Sequence, residues 1–105
     1  MIIHEIDLDS QAIREFCKKW KIKELSVFGS ILRDVFRPDS DIDFLVTYDR
    51  DAEWDISDVV NMKHELAHAL GRPVDIISRS AIERSDNRFI KKEVLSTMEP
   101  IYAKR

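Results

Sequence analysis

The acidic pair Asp41 and Asp43 opens an apolar run and is the feature of this sequence best suited to chemistry. Because side chains alternate faces along a strand, both carboxylates would lie on one face, roughly 6–7 Å apart. Two bare carboxylates there repel each other, so a buried strand has no structural reason to carry both. A divalent cation supplies the reason, since Mg²⁺ favours carboxylate and phosphate oxygens. The pair predicts a metal site for phosphoryl or nucleotidyl transfer, where two ions lie about 3.5–4 Å apart.

Gly29 and Ser30 follow another apolar run and precede the acidic pair by ten residues. Glycine allows the backbone to adopt a positive φ or to approach a ligand closely. A Gly-Ser turn that opens a short helix presents free N–H groups and a hydroxyl, which suit a phosphate. Together with the carboxylates, the turn predicts a site for a nucleotide and a metal. The alternative is a capped turn followed by the solvated start of a strand.

The string G-S-I-L-R-D-V-F-R-P-D-S-D-I-D-F-L-V, residues 29–46, resembles the signature of the polymerase-β-like nucleotidyltransferase superfamily. It is most similar to the smallest members, the minimal nucleotidyltransferases of prokaryotes, and in length and element order the resemblance covers nearly the whole chain. Asp34 departs from the pattern, because many members carry glycine there. Members are commonly encoded beside a HEPN-domain protein as toxin–antitoxin pairs.

The resemblance implies a role for each residue of the signature. Gly29 and Ser30 would hold the triphosphate of a nucleotide, with ATP as the expected substrate, while Asp41 and Asp43 would carry two Mg²⁺ ions. Arg33 or Arg37 would neutralise phosphate charge, although Arg37 could equally pair with a neighbouring aspartate. Geometry and metal charge would supply most of the catalysis, because phosphoryl chemistry asks little covalent work of the protein.

Asp75 interrupts the apolar run V-D-I-I, in which a bare carboxylate is costly to bury. In the superfamily a third acidic residue on a neighbouring strand joins the metal and accepts the proton of the attacking hydroxyl, and Asp75 matches its place in element order. The alternative is an aspartate at a strand end that faces water.

A competing motif is His64-Glu65-Leu66-Ala67-His68, a literal H-E-x-x-H on a predicted helix, which is the zinc-protease pattern. Gly71 continues it at the metzincin spacing, but the third ligand would then fall on Val74, and only the distant Glu93 could substitute for it. We therefore expect exposed helix histidines.

The totals predict one domain over residues 1–105, without a membrane span or a secretory signal. Cys17 is the only cysteine, which indicates a reducing cytoplasm, and its place on an apolar helix stripe indicates a core residue. The net charge of −3 argues against direct DNA binding. Residues 1–78 carry 10 basic and 16 acidic residues, whereas residues 79–105 carry 7 and 4, so the basic end could face a triphosphate, an acidic partner or only solvent.

Hydrophobic periodicity and turn residues predict a small α/β domain, with a mixed sheet of three to four strands flanked by helices. A first helix begins after Asp9 or Ser10, a second spans 55–70 and ends at Gly71, and a last spans 86–97 with Phe89, Ile90, Val94 and Leu95 inward. Pro38 ends the short helix that follows Gly29. The expected strands are 22–28, 41–48, 73–77 and an edge strand at 100–103.

The domain is too small to carry a separate acceptor-binding domain, so we expect a partner chain to bring the acceptor. The resemblance implies a HEPN toxin whose tyrosine hydroxyl receives AMP, with this chain as the antitoxin in a hetero-oligomer. Two alternatives stay open: a small-molecule nucleotidyltransferase of the aminoglycoside type, and an antitoxin that blocks its partner by contact alone.

Overall fold

The computed structural model describes residues 2–33, 36–37 and 39–104. The predictions made for Asp34 and Pro38 lie outside these residues. The elements, in chain order, are β1 (Ile2–Ile3), β2 (Ile6–Asp7), α1 (Gln11–Lys19), β3 (Ile22–Phe28), a 3₁₀ helix (Gly29–Leu32), β4 (Ile42–Tyr48), α2 (Ile56–Leu70), β5 (Val74–Ser78), α3 (Arg79–Glu83), α4 (Arg88–Thr97) and β6 (Glu99–Ala103).

The main sheet has the strand order β5-β4-β3-β6 and is mixed, because β4 pairs parallel with β5 while the other pairs are antiparallel. This confirms the predicted mixed α/β fold, and β6 lies at an edge as its proline requires. A separate hairpin of β1 and β2 precedes α1 and was not predicted.

The two faces of the sheet have different covers. One face carries the main core, in which Phe44 and Leu25 are fully buried together with side chains of α1 and α2. The other face carries a smaller core in which Leu45 contacts Ile82 of α3 and Val94 of α4. Because Asp43 lies two residues from Leu45 on the same strand, the acidic residue shares the face that α3 and α4 cover.

The helix boundaries follow from local chemistry. Ser10 caps α1 by accepting the N–H of Ile13, as predicted, whereas α2 begins at a capping box formed by Asp55 and Asp58. Gly71 ends α2 in the left-handed conformation at φ 68°, which confirms the predicted stop.

The prediction for the last helix was partly wrong. It begins at residue 88, and of the four residues expected to face inward Val94 is buried and Leu95 half-buried. Phe89 is 87% exposed and Ile90 48% exposed. Helical periodicity allowed two apolar stripes on α4, and the sheet covers only the one that contains Val94. Across the described residues, no helix has the length and apolar character needed to cross a membrane.

Candidate active site

Three aspartates lie near one another at the end of the sheet where β4 and β5 begin. Asp43 and Asp75 are direct neighbours in the register of this parallel pair. Asp41 stands just before β4, whose first residue Ile42 donates its N–H to the carbonyl of Pro73 at 3.1 Å. Parallel strands that start together therefore bring residues from distant parts of the sequence to one place.

The environment of Asp43 disfavours its ionised form. The side chain is half-buried, and this burial is the main cause that raises its pKa. The negative charges of Asp75 and then Asp41 raise the pKa of Asp43 further. A cation placed between these groups would reverse both electrostatic effects. The carboxylate grouping is therefore costly unless a positive charge neutralises it.

Gly29 lies directly against the Asp43 carboxylate. Its φ is 78°, and a Cβ atom at this position would come within 2.6 Å of Oδ2 of Asp43. The contact arises because Phe28 pairs with Asp43 in the β3–β4 register, so the turn that follows β3 passes over the start of β4. Only glycine satisfies both the backbone conformation and the available space.

A cavity of about 420 Å³ opens beside Gly29, which we call the Gly29 cavity. Its volume is in the range of small-molecule sites, roughly 300–1,000 Å³. Its lining residues come from the turn and from α4: Phe28, Gly29, Leu32, Arg33, Glu93, Val94 and Thr97. Ser30, the second residue of the 3₁₀ helix, is half-buried and lies between Gly29 and the cavity residues Leu32 and Arg33.

An ion pair spans the Gly29 cavity. The Arg33 guanidinium donates to Glu93 at 2.6 Å, and both side chains are more than half exposed. Glu93 and Thr97 therefore line the candidate site, although neither residue was predicted from the sequence to do so. Glu93 was considered only as a distant zinc ligand. Arg37, the other predicted arginine, lines a separate cavity of about 290 Å³ with His4, Glu5, Phe36 and Arg72.

Asp75 is engaged by its own surroundings. Its Oδ1 accepts the N–H of Ile76 at 3.0 Å and lies 3.7 Å from Nζ of Lys63 on α2. Within the described residues, no three acidic, histidine or cysteine side chains are close enough to enclose an ion. The side chains of Asp41, Asp43 and Asp75 offer carboxylate oxygens, which are the ligands that Mg²⁺ prefers. The three aspartates would therefore suit this metal if Asp75 released Lys63 and turned toward the ion.

The H-E-x-x-H motif is part of α2, with His64 and His68 exposed as expected. Glu65 is not available as a general base, because Oε2 accepts the indole N–H of Trp20 at 3.1 Å and the ammonium of Lys19 at 3.0 Å. Glu65 of the motif therefore serves the packing of α2 against α1. Among the described residues there is no cluster of histidine, cysteine and acidic side chains that could bind the zinc ion of a protease.

Cys17 lies in the core as predicted and is fully buried. Burial raises the pKa of its thiol to about 12. The thiolate is therefore not formed at neutral pH, and Cys17 is not a nucleophile.

The nucleotidyltransferase domain model matches residues 9–98, and the chain belongs to this family. A protein of Methanocaldococcus jannaschii named as a putative protein adenylyltransferase is 32% identical over 76 residues, which cover 72% of this chain and 73% of the relative. The protein adenylyltransferase MntA of Thermococcus cleftensis is 26% identical over 82 residues, covering 78% and 81%. The family predicted from residues 29–46 is confirmed.

The fold is shared with a chain in the structure of a tri-AMPylated Shewanella oneidensis HEPN toxin in complex with an MNT antitoxin. The TM-score is 0.61 at 21% sequence identity, and the match covers 92% of this chain and 71% of the other. At this identity the likeness concerns the fold alone.

The contact between Gly29 and Asp43 predicts unequal effects at the two glycines, both of which have a positive φ. Gly29→Ala and Gly71→Ala should each cost about 1–2 kcal/mol from backbone strain. Only Gly29→Ala should also displace the Asp43 carboxylate, because Gly71 has open space where a Cβ would lie. Thermal melts and carboxyl NMR shifts measure both effects. Equal melts, with an unshifted Asp43 resonance in both variants, would contradict the assigned contact.

The raised pKa of Asp43 gives a pH dependence with a definite sign. Because the folded protein holds this proton more tightly than the unfolded chain, ionisation destabilises the fold, and the cost is present above the folded-state pKa. Asp43→Asn should therefore raise the metal-free Tm by a few degrees at pH 7. The gain should vanish below about pH 3.8, the ordinary pKa of an aspartate side chain, because Asp43 is then protonated in both the folded and the unfolded state. A variant less stable than wild type at pH 7 would count against carboxylate repulsion.

Proposed function

We propose that this chain transfers AMP from ATP to a hydroxyl group of a partner protein and releases pyrophosphate. The acceptor we favour is a tyrosine of a HEPN toxin, so that the chain acts as an antitoxin. The observation that carries the proposal is the grouping of Asp41, Asp43 and Asp75 around the glycine turn and its cavity. Family membership and the protein adenylyltransferase relatives support it.

Nucleotide binding is assigned to the turn and to the Gly29 cavity. Gly29 and Ser30 offer backbone N–H groups and a hydroxyl to the triphosphate, and the cavity beside them takes the rest of the nucleotide. Arg33 neutralises phosphate charge, which requires it to leave Glu93. Asp41 and Asp43 would hold two Mg²⁺ ions, which supply charge neutralisation at the phosphates and align the reacting oxygens.

Asp75 is assigned to the proton of the acceptor hydroxyl. The hydroxyl oxygen attacks the α-phosphorus, the bond to the bridging oxygen of pyrophosphate breaks, and the Asp75 carboxylate accepts the proton. Lys63 lies 3.7 Å from Oδ1 of Asp75, so this ion pair must open for the carboxylate to act. Both side chains are about half exposed, which keeps the cost of opening the pair small.

The proposal includes the partner and the compartment. The acceptor arrives on a separate chain, which makes the working unit a hetero-oligomer. The compartment we propose is the reducing cytoplasm, with which the free thiol of Cys17 is compatible. An antitoxin that acts by contact alone would not need the carboxylate grouping, which costs stability without a cation. A small-molecule transferase is the other alternative, and the relatives named as protein adenylyltransferases favour a protein acceptor over it.

Asp75→Asn separates catalysis from blocking by contact. The substitution keeps size and most hydrogen bonding but removes the charge, so the variant should bind the toxin and fail to neutralise it. With wild type, the intact mass of the co-expressed toxin should rise in steps of one AMP; with the variant it should stay unchanged. A circular dichroism melt checks that the variant is folded. Protection equal to wild type, with no mass change in either case, would establish a contact-only antitoxin.

Glu93→Gln tests the assignment of Arg33 to the phosphates. The substitution releases Arg33 and removes a negative charge from the Gly29 cavity, so ATP should bind roughly two- to fivefold tighter, as an exposed pair worth under about 1 kcal/mol allows. Glu83→Gln, which breaks the exposed pair with Arg79 on α3, is the matched control and should not change ATP binding. Calorimetry with ATP and Mg²⁺ measures both; weaker binding in Glu93→Gln would instead make Glu93 a nucleotide ligand.

A further inference from the structure

Helix α4 exposes apolar side chains that the remainder of the described chain leaves uncovered. Phe89 is 87% exposed, the highest value among the large hydrophobic residues described, and the adjacent Ile90 is 48% exposed. A single exposed hydrophobic residue is common on a protein surface. Here two consecutive residues are exposed on a helix that already buries Val94 against the sheet, so α4 carries more apolar surface than its packing on the sheet uses.

Cations lie beside this apolar surface on the same helix. Arg88, Lys91 and Lys92 line a groove of about 430 Å³ together with Leu95 and Ser96. Lys91 is held in place because its ammonium donates to the carbonyl of Glu83 at 2.8 Å. The groove therefore combines three positive charges with an apolar lining. It lies within residues 79–105, which carry 7 basic and 4 acidic residues.

The groove lies on the same helix as the Gly29 cavity. Glu93, Val94 and Thr97 line the cavity, and Lys92 and Ser96, each next to one of them in sequence, line the groove. Successive helix residues are about 100° apart, so the groove and the cavity are neighbouring surfaces of α4. A molecule bound in the groove would be positioned at the entrance of the proposed active site.

We propose that the outer face of α4, comprising Arg88, Phe89, Lys91, Lys92 and Leu95, is the docking surface for the protein that presents the acceptor hydroxyl. The complementary surface is acidic and carries an apolar side chain that covers Phe89. This inference rests on the proposed function for its choice of partner. A protein fits better than a nucleic acid, because residues 1–78 carry 16 acidic and 10 basic residues and would repel an extended polyanion.

Phe89→Asp tests the apolar part of the surface, with Ile56→Asp as the matched control. Ile56 is 84% exposed at the first position of α2, so both substitutions place an aspartate in the first turn of a helix, where it is tolerated. The probe is the HEPN-domain partner that the proposed function requires, with ATP and Mg²⁺. Phe89→Asp should raise the KM for this protein at least tenfold and leave the Kd for ATP unchanged, whereas Ile56→Asp should change neither.

Charge reversal tests the electrostatic part. Arg88→Glu combined with Lys92→Glu should weaken binding of the same partner and reduce its dependence on salt between 50 and 300 mM. Lys18→Glu combined with Lys23→Glu makes the same change in net charge at exposed positions on α1 and β3, and should have little effect. A similar loss in both double variants would overturn a local docking surface in favour of a net-charge effect.

The outcomes separate this inference from the proposed function. A wild-type KM in Phe89→Asp, with AMP transfer intact, overturns the docking surface and leaves the function standing. Partner binding that depends on Phe89, without AMP transfer by wild type, supports the surface and refutes the function. A partner that neither binds nor is modified refutes both. An RNA hairpin that binds wild type more tightly than the protein does, through Phe89, overturns the assignment to a protein partner.

Discussion

Repulsion among carboxylates at the start of two parallel strands is the constraint around which this fold is arranged. The register of β4 and β5 places Asp43 beside Asp75. Asp41, just before β4, adds a third negative charge that acts on Asp43. The raised pKa of Asp43 records the cost. Ionisation of Asp43 therefore lowers the free energy of unfolding, and a cation bound among these carboxylates would offset that cost.

Within the described residues, the Gly29 cavity is the space that opens beside the glycine turn and Asp43. Gly29 closes over Asp43 without a side chain, and α1 and α2 fill the opposite face of the sheet with the main core. On the open side, the Arg33–Glu93 pair bridges the turn and α4 across a cavity. The cavity, Arg33 in its exposed ion pair and the three aspartates thus lie toward one edge of the domain. Helix α4 borders both the cavity and the exposed surface around Phe89.

Much of this arrangement could be predicted from the sequence because the signals are local. The strand 22–28, the strand that carries Asp43 and the helix stop at Gly71 all depend on residues within a few positions of one another. The role of Glu93 could not be predicted, since it meets Arg33 across 60 positions. Phe89 and Ile90 were misplaced for a related reason: periodicity identifies apolar positions on a helix but not how much of the helix the sheet covers. The short α3 and the hairpin of β1 and β2 are too brief to give a periodic signal.

Crystallography with Mn²⁺ in place of Mg²⁺ would show whether Asp41 and Asp43 hold a divalent metal with a nucleotide beside Gly29. Crystals grown with Mn²⁺ and a non-hydrolysable ATP analogue should show anomalous density coordinated by both carboxylates, with the triphosphate against the turn at Gly29 and Ser30. Asp75 should have turned from Lys63 toward the same density. Metal density confined to His64 and His68, or a nucleotide bound away from Gly29 with Asp41 and Asp43 uncoordinated, would contradict the account.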